Sequence, residues 1–178
     1  SGARIGLLDA DLDGSSAARI LGVADGLAHL GPAGLVPPVA HGVRVMSTEV
    51  LRSAESAPLS WRSSDPISES AARATVLREL MTDTAWGTLD CLVVDMPPRA
   101  DLSGLPIGAR GPEVAMLAVT VPHAVSLRVV SRAVTAARDA GVRVLGLVVN
   151  MAYLTCDACG HRNDLGDLEG ARAFARAL

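Results

Sequence analysis

Two sets of residues in this sequence have types and spacings suited to chemistry. Cys156 and Cys159, within TCDACGH, form a Cys-x-x-Cys pair. Such a pair can be a redox disulfide, half of a zinc site or half of an iron–sulfur site. A thioredoxin-like pair opens a helix near the early strands of its fold, whereas this one follows a late apolar run, so metal binding is the better reading. Haem attachment needs His directly after the second Cys, and Gly160 intervenes. Two thiolates from each of two chains would complete a four-cysteine set about a symmetry axis, for a [4Fe–4S] cluster or Zn²⁺ alike. His161 could add a nitrogen to a zinc site, although a surface loop position accounts for it as well. The third cysteine, Cys91, lies in an apolar run and reads as a small buried hydrophobe.

The second set is acidic. Asp9, Asp11 and Asp95 close or follow apolar runs. Carboxylates at adjacent strand ends can hold Mg²⁺ through water or orient an attacking water for phosphoryl transfer. The competing reading is a helix N-cap or an Asx turn, which Asp also favours. Spacing alone leaves both open. His29, His41 and His123 are scattered without ligand spacing.

These residues need strands to place them. Apolar runs predict strands over Arg4–Asp9, Val43–Ser47, Leu89–Asp95, Val114–Val121 and Val142–Val149. Most runs are continuous, as expected for strands covered on both faces. Helical patterns span Ser15–Leu21, Ser68–Asp83, Ser126–Ala140 and Leu168–Leu178, the third ended by Gly141. Gly31–Pro38 and Leu102–Pro112 read as loops. The alternation predicts an α/β fold, a mostly parallel sheet with helices on both faces, in one domain over residues 1–178. Ligands of such sheets bind beyond the carboxyl ends of the strands, where the acidic and cysteine residues fall.

Composition narrows the classes further. With 178 residues, 49% hydrophobic and 20% charged, the chain can bury a sizeable core. A formal net charge of −3 gives no basic surface for nucleic acid. No apolar run approaches the roughly 20 residues that span a bilayer, and Asp9 and Asp11 interrupt any secretory leader. A cytoplasmic chain with a metal-binding pair is the expectation. All 16 basic residues are arginine, so any mechanism that needs a lysine cannot be completed by this chain alone.

Read in order, IGLLDADLDGSS, GVRVMS, WR before a helix, WGTLDCLVVDMPP, VTVPHAVSL and VLGLVVNMAYLTCDACGHRNDLG resemble the Mrp (ApbC) family of iron–sulfur carrier ATPases, a branch of the MinD-like P-loop NTPases. The resemblance implies the MinD-like core and cluster transfer to apo iron–sulfur proteins. It also implies ATP and Mg²⁺ binding, and a homodimer joined through the Cys-x-x-Cys loop. By the same resemblance Asp9 and Asp11 match switch I, and Asp95 matches the Walker B carboxylate, followed by Pro97 and Pro98. Asn150 matches the position near the adenine base, and Pro122, a cofactor-binding candidate, matches the loop after the next core strand. Cys156 and Cys159 match the pair that holds a bridging [4Fe–4S] cluster.

Two departures stand out. The family's Gly-rich phosphate loop and its lysine come one strand before this sequence begins, so the resemblance implies an N-terminal strand that this chain lacks or a partner chain supplies. The family's PPGTGD reads PPRAD here, with Arg99 as a candidate phosphate contact. The expectation is that this chain alone shows no measurable ATP hydrolysis. Two other readings stay open, a non-catalytic P-loop-like module with a structural zinc at a dimer interface, and a MinD- or ParA-like ATPase.

Overall fold

The computed structural model describes residues 2–51, 66–97, 105 and 113–178. Trp61, Arg62, Pro98, Arg99 and most of the Leu102–Pro112 stretch lie outside the described residues. Chain packing falls into two compact units, Ser1–Leu105 and Pro106–Leu178.

The first unit runs β1 (Ile5–Asp9), α1 (Ala17–Ile20), β2 (His29–Gly31), β3 (Gly34–Val36), β4 (Val39–Ala40) and β5 (Val43–Met46). A 3-10 turn (Glu49–Leu51), α2 (Pro66–Thr82) and β6 (Cys91–Asp95) complete it. Its sheet has the order β4-β5-β1-β6. β5 and β6 flank β1 in parallel, and β4 adds antiparallel to β5. Leu8, Val45, Met46 and Val50 are fully buried, and Val76, Leu77 and Leu80 of α2 belong to the same core. Removing that apolar surface from water is what holds the short strands together. Trp86 joins the core and keeps its polar edge satisfied by donating from Nε1 to the Met81 carbonyl at 3.0 Å.

Two expectations change here. The Gly31–Pro38 stretch is a β2–β3 hairpin rather than a loop, because Pro32 and Ala33 make a tight turn that lets the flanking residues pair. Cys91 is exposed rather than buried. Among the described strands β6 is the last of this sheet, and Val93 on the same face is 48% exposed.

The second unit runs β7 (Ala115–Thr120), α3 (Ala124–Asp139), β8 (Arg143–Val149), β9 (Tyr153–Thr155), β10 (Arg162–Asp164) and α4 (Leu168–Ala177). β7 and β8 pair in parallel, with a bulge between Met116 and Leu117. α3 packs on both strands and Ala118, Val134 and Ala137 are buried, while Leu117 and Val119 stay more than half exposed. His123 caps α3, its Nδ1 accepting from the Val125 amide at 3.3 Å. Gly141, at φ 77, ends the helix as the sequence predicts. There the Gly141 and Val142 amides donate to the Arg138 and Ala137 carbonyls. Among the described residues no helix is long and apolar enough to cross a membrane.

Candidate functional site

The carboxyl ends of β1 and β6 bring the three predicted aspartates together. Asp9 and Asp95 are register partners on adjacent strands. Asp9 is only 1% exposed. Its Oδ2 accepts from Ser15 Oγ at 3.0 Å, the Ser16 amide at 2.8 Å and the Ala17 amide at 2.9 Å. Its Oδ1 accepts from the Asp11 amide at 3.1 Å. A short helix has no internal partners for its first amides, and Ser16 makes no side-chain cap, so Asp9 does that work from the strand end. Oδ2 of Asp9 thus acts as the cap of α1, and Oδ1 closes an Asx turn.

Asp11 is half-buried, and its Oδ1 accepts from the Gly14 amide at 3.0 Å. The turn that carries it is tied to α2. Arg73 Nη2 reaches Asp13 Oδ2 at 2.5 Å and Glu69 Oε1 at 2.7 Å. Asp95 remains more open than Asp9. Partial burial of its carboxyl, and then the nearby charges of Asp9 and Asp11, push its pKa up. Ser47 follows the Met46–Leu8 register pair, and its buried Oγ has no hydrogen-bond partner. The sequence reads Ser47 as the last residue of a strand and carried no sign of that orphaned hydroxyl.

The donor chemistry here suits a hard cation, since carboxylate and hydroxyl oxygens are what Mg²⁺ prefers. Among the described residues, however, no group of three or more His, Cys, Asp or Glu side chains converges into a cage. Asp11 and Asp95 are the carboxylates at these strand ends that do not cap α1.

The second unit carries the cysteines on a β-hairpin rather than in an open polar loop. β9 and β10 pair antiparallel, Thr155 with Arg162 and Tyr153 with Asp164. The Cys156 amide donates to the His161 carbonyl at 2.8 Å, and the Gly160 amide to the Cys156 carbonyl at 2.8 Å. The turn therefore folds the backbone around the Cys156 sulfur. The Cys159 amide, the Ala158 amide and the Cys159 thiol all donate to that sulfur and hold its pKa below the usual thiol range. Amides aimed at a sulfur stabilise the thiolate, the form that ligates metal. Arg162 stacks over the Tyr153 ring, 3.9 Å from its centroid, and Nε of Arg162 donates to Asp164 at 3.0 Å. Three-residue strands are too short to show alternation, which is why the hairpin was not legible.

Asn150 and Pro122 lie at the exits of β8 and β7 in the same unit. The Asn150 amide donates to the Thr120 carbonyl at 2.7 Å. Its side-chain Oδ1 accepts from the Met151 amide at 2.9 Å, so the Nδ2 hydrogens are the larger part of what it can offer a base edge. The Pro122 carbonyl accepts from the Asp167 amide at 2.7 Å, just after the hairpin. The structure thus assembles Asp9, Asp11 and Asp95 in one unit, and Pro122, Asn150, Cys156 and Cys159 in the other.

A family model described as ParA, NUBPL iron-transfer P-loop NTPase, matches residues 1–178. An iron–sulfur cluster carrier protein of Pseudomonas fragi is 37% identical over 176 residues, 98% of this chain and 58% of that relative. The cytosolic Fe-S cluster assembly factor NUBP2 of Bos taurus is 32% identical, over 99% of this chain and 65% of the relative. Matches of this kind mean that the chain spans roughly half to two thirds of the length of the curated relatives it matches. Among solved structures, a nucleotide-binding protein of Archaeoglobus fulgidus in complex with ADP superposes with a TM-score of 0.70 at 28% identity. That match covers 99% of this chain and 66% of the other. The septum site-determining protein MinD of Pyrococcus horikoshii gives a TM-score of 0.55 at 20% identity, covering 97% of this chain and 65% of the other, a likeness of fold.

Proposed function

Because the chain belongs to the ParA/NUBPL iron-transfer P-loop NTPase family, we propose that it takes part in carrying iron–sulfur clusters, with Cys156 and Cys159 as its cluster ligands. The observation that carries this reading is the tight turn that holds Cys156 and Cys159 together, closed by the Cys156 amide on the His161 carbonyl and the Gly160 amide on the Cys156 carbonyl. In the proposed assembly two chains meet at the β9–β10 hairpin and their four thiolates bridge one [4Fe–4S] cluster, the cargo. Apo iron–sulfur proteins receive it by thiolate exchange, a step that exposed cysteines favour because an incoming thiolate can reach the iron. Cys159 is exposed and Cys156 half-buried.

For the nucleotide part of the reading, the first unit offers Asp11 and Asp95 as carboxylates for Mg²⁺, and the second unit separately offers the Asn150 amide. This chain has no lysine of its own to neutralise a phosphate. Among the described strands β6 pairs on one side only, with Cys91 and Val93 exposed on it. An added strand from a partner segment would satisfy that edge.

Anaerobic purification with iron and sulfide tests the proposal through the visible spectrum and the metal content. A brown dimer that loses its colour with chelator, and is not formed by Cys156→Ser, is the expected result. A colourless dimer with half a zinc per chain would support the structural-zinc module instead. A metal-free monomer would rule out both.

A further inference from the structure

The cysteine hairpin is fastened at its root on both sides, and both fastenings end on the exit of β7. On the incoming side the Asn150 amide donates to Thr120, and the next residue, Met151, has φ 52. A bulky residue in the left-handed region is strained and holds only where its surroundings fix it. On the outgoing side the Leu165 amide donates to the Ala152 carbonyl at 2.9 Å and the Asp167 amide to the Pro122 carbonyl at 2.7 Å. Gly166 lies between these two bonds at φ 63. A Cβ placed there would sit 2.0 Å from the Pro122 carbonyl oxygen and 3.1 Å from its carbon. Glycine is therefore required twice over, by the backbone conformation and by the approach to Pro122. Asp167 then caps α4 through the Gly170 amide at 2.7 Å.

We propose that this root couples the metal turn to the Pro122–Asn150 edge, with Gly166 and Met151 as positioning residues on its two sides. The inference rests on the metal-binding reading of Cys156 and Cys159. Drawing the two sulfurs onto one metal ion fixes the Cys156–His161 turn. The short β9–β10 ladder passes that constraint to Ala152–Leu165, and the Gly166 contact passes it to Pro122. The links are backbone hydrogen bonds and the close Gly166–Pro122 approach, which together form one continuous path from the turn to the exit of β7. Linkage makes the effect mutual: whatever settles Pro122 and Asn150 alters metal affinity by the same factor.

The test uses the full chain, anaerobic and reduced, titrated with Co²⁺ and followed by thiolate-to-metal absorption and amide hydrogen exchange. Metal is expected to slow exchange at Asn150, Leu165 and Asp167 together with Cys156 and Gly160. Metal uptake with protection confined to residues 155–161 would overturn the coupling and leave the metal reading intact. No uptake at all would overturn both. Gly166→Ala is expected to weaken Co²⁺ binding by roughly tenfold, within the usual range of coupling between sites, and to shift the Asn150 amide resonance. Met151→Gly, which relieves strain and preserves the fold, is expected to retain metal uptake but lose the protection at Asn150. Unchanged Co²⁺ affinity in a folded Gly166→Ala chain, or full protection at Asn150 in Met151→Gly, would refute the assignment.

Discussion

Asp9 and Asp95 face each other in register at the ends of β1 and β6, yet their carboxylates live in opposite conditions. Asp9 is buried and takes four hydrogen bonds, three of them from backbone amides. Asp95 is more exposed and feels the charges of Asp9 and Asp11. One aspartate of the pair builds the loop, and the other is left to respond to what arrives.

The first prediction concerns Asp9. Asp9→Ala would leave the Ser16 and Ala17 amides without their acceptor and is expected to cost about 2–3 kcal/mol of unfolding free energy, from a lost cap and unsatisfied amides. Asp9→Asn keeps an acceptor oxygen and should cost less. Urea unfolding followed by tryptophan fluorescence measures both. Equal stability of Asp9→Ala and the parent chain would mean that the cap contributes nothing.

Asp95 should show itself in the pH dependence of stability. Its pKa is raised in the folded state, so the folded chain holds this proton where the unfolded chain has released it. That contribution is fully present below the unfolded value and is lost as pH rises through the folded one. Asp95→Asn should therefore raise the melting temperature at neutral pH and flatten this part of the curve. Thermal melts from mildly acidic to neutral pH decide it, and a slope identical to that of the parent would contradict the assignment.

Cys156 and Cys91 form an internal contrast in thiol chemistry. Cys91 is the more exposed, but the amides of Cys159 and Ala158 favour the thiolate only at Cys156. In metal-free reduced protein, iodoacetamide should modify Cys156 faster than Cys91 at neutral pH, with the gap closing as the solution becomes alkaline. Peptide mass spectrometry reads the order, and faster labelling of Cys91 would count against the turn geometry.

Arg73 is predicted to hold the Asp11–Gly14 turn through Asp13. Both ion pairs are partly exposed, so Arg73→Ala should cost no more than about 1 kcal/mol globally. Its larger effect should be local, with faster hydrogen exchange at the Gly14 amide, which donates to Asp11. If Gly14 exchanges at the parent rate, Arg73 does not hold the turn.

Much of the framework was legible in the sequence. The runs ending in Asp9 and Asp95 are strands, and the Gly141 stop and the four helical patterns lie within a few residues of their observed bounds. These signals are local, carried by apolar run length and by residues with restricted backbones. The hairpins at His29–Val36 and Tyr153–Asp164 were not legible, because strands of three residues carry no period. Cys91 was misjudged for a different reason: an apolar neighbourhood in sequence does not guarantee cover in space. Gly166 and Asp167 did carry a signal, a glycine before an aspartate that opens a helix, but nothing in it pointed to Pro122.

By itself the sequence determined the chemical inventory: a Cys-x-x-Cys pair, carboxylates at strand ends and no lysine. Those are properties of residue type and short spacing, which do not depend on what lies across the fold. Only the tertiary structure decided which carboxylate is consumed as a cap, which thiol is held toward its thiolate, and that Pro122 closes the root of the cysteine hairpin. Burial, amide orientation and close approach arise where distant segments meet.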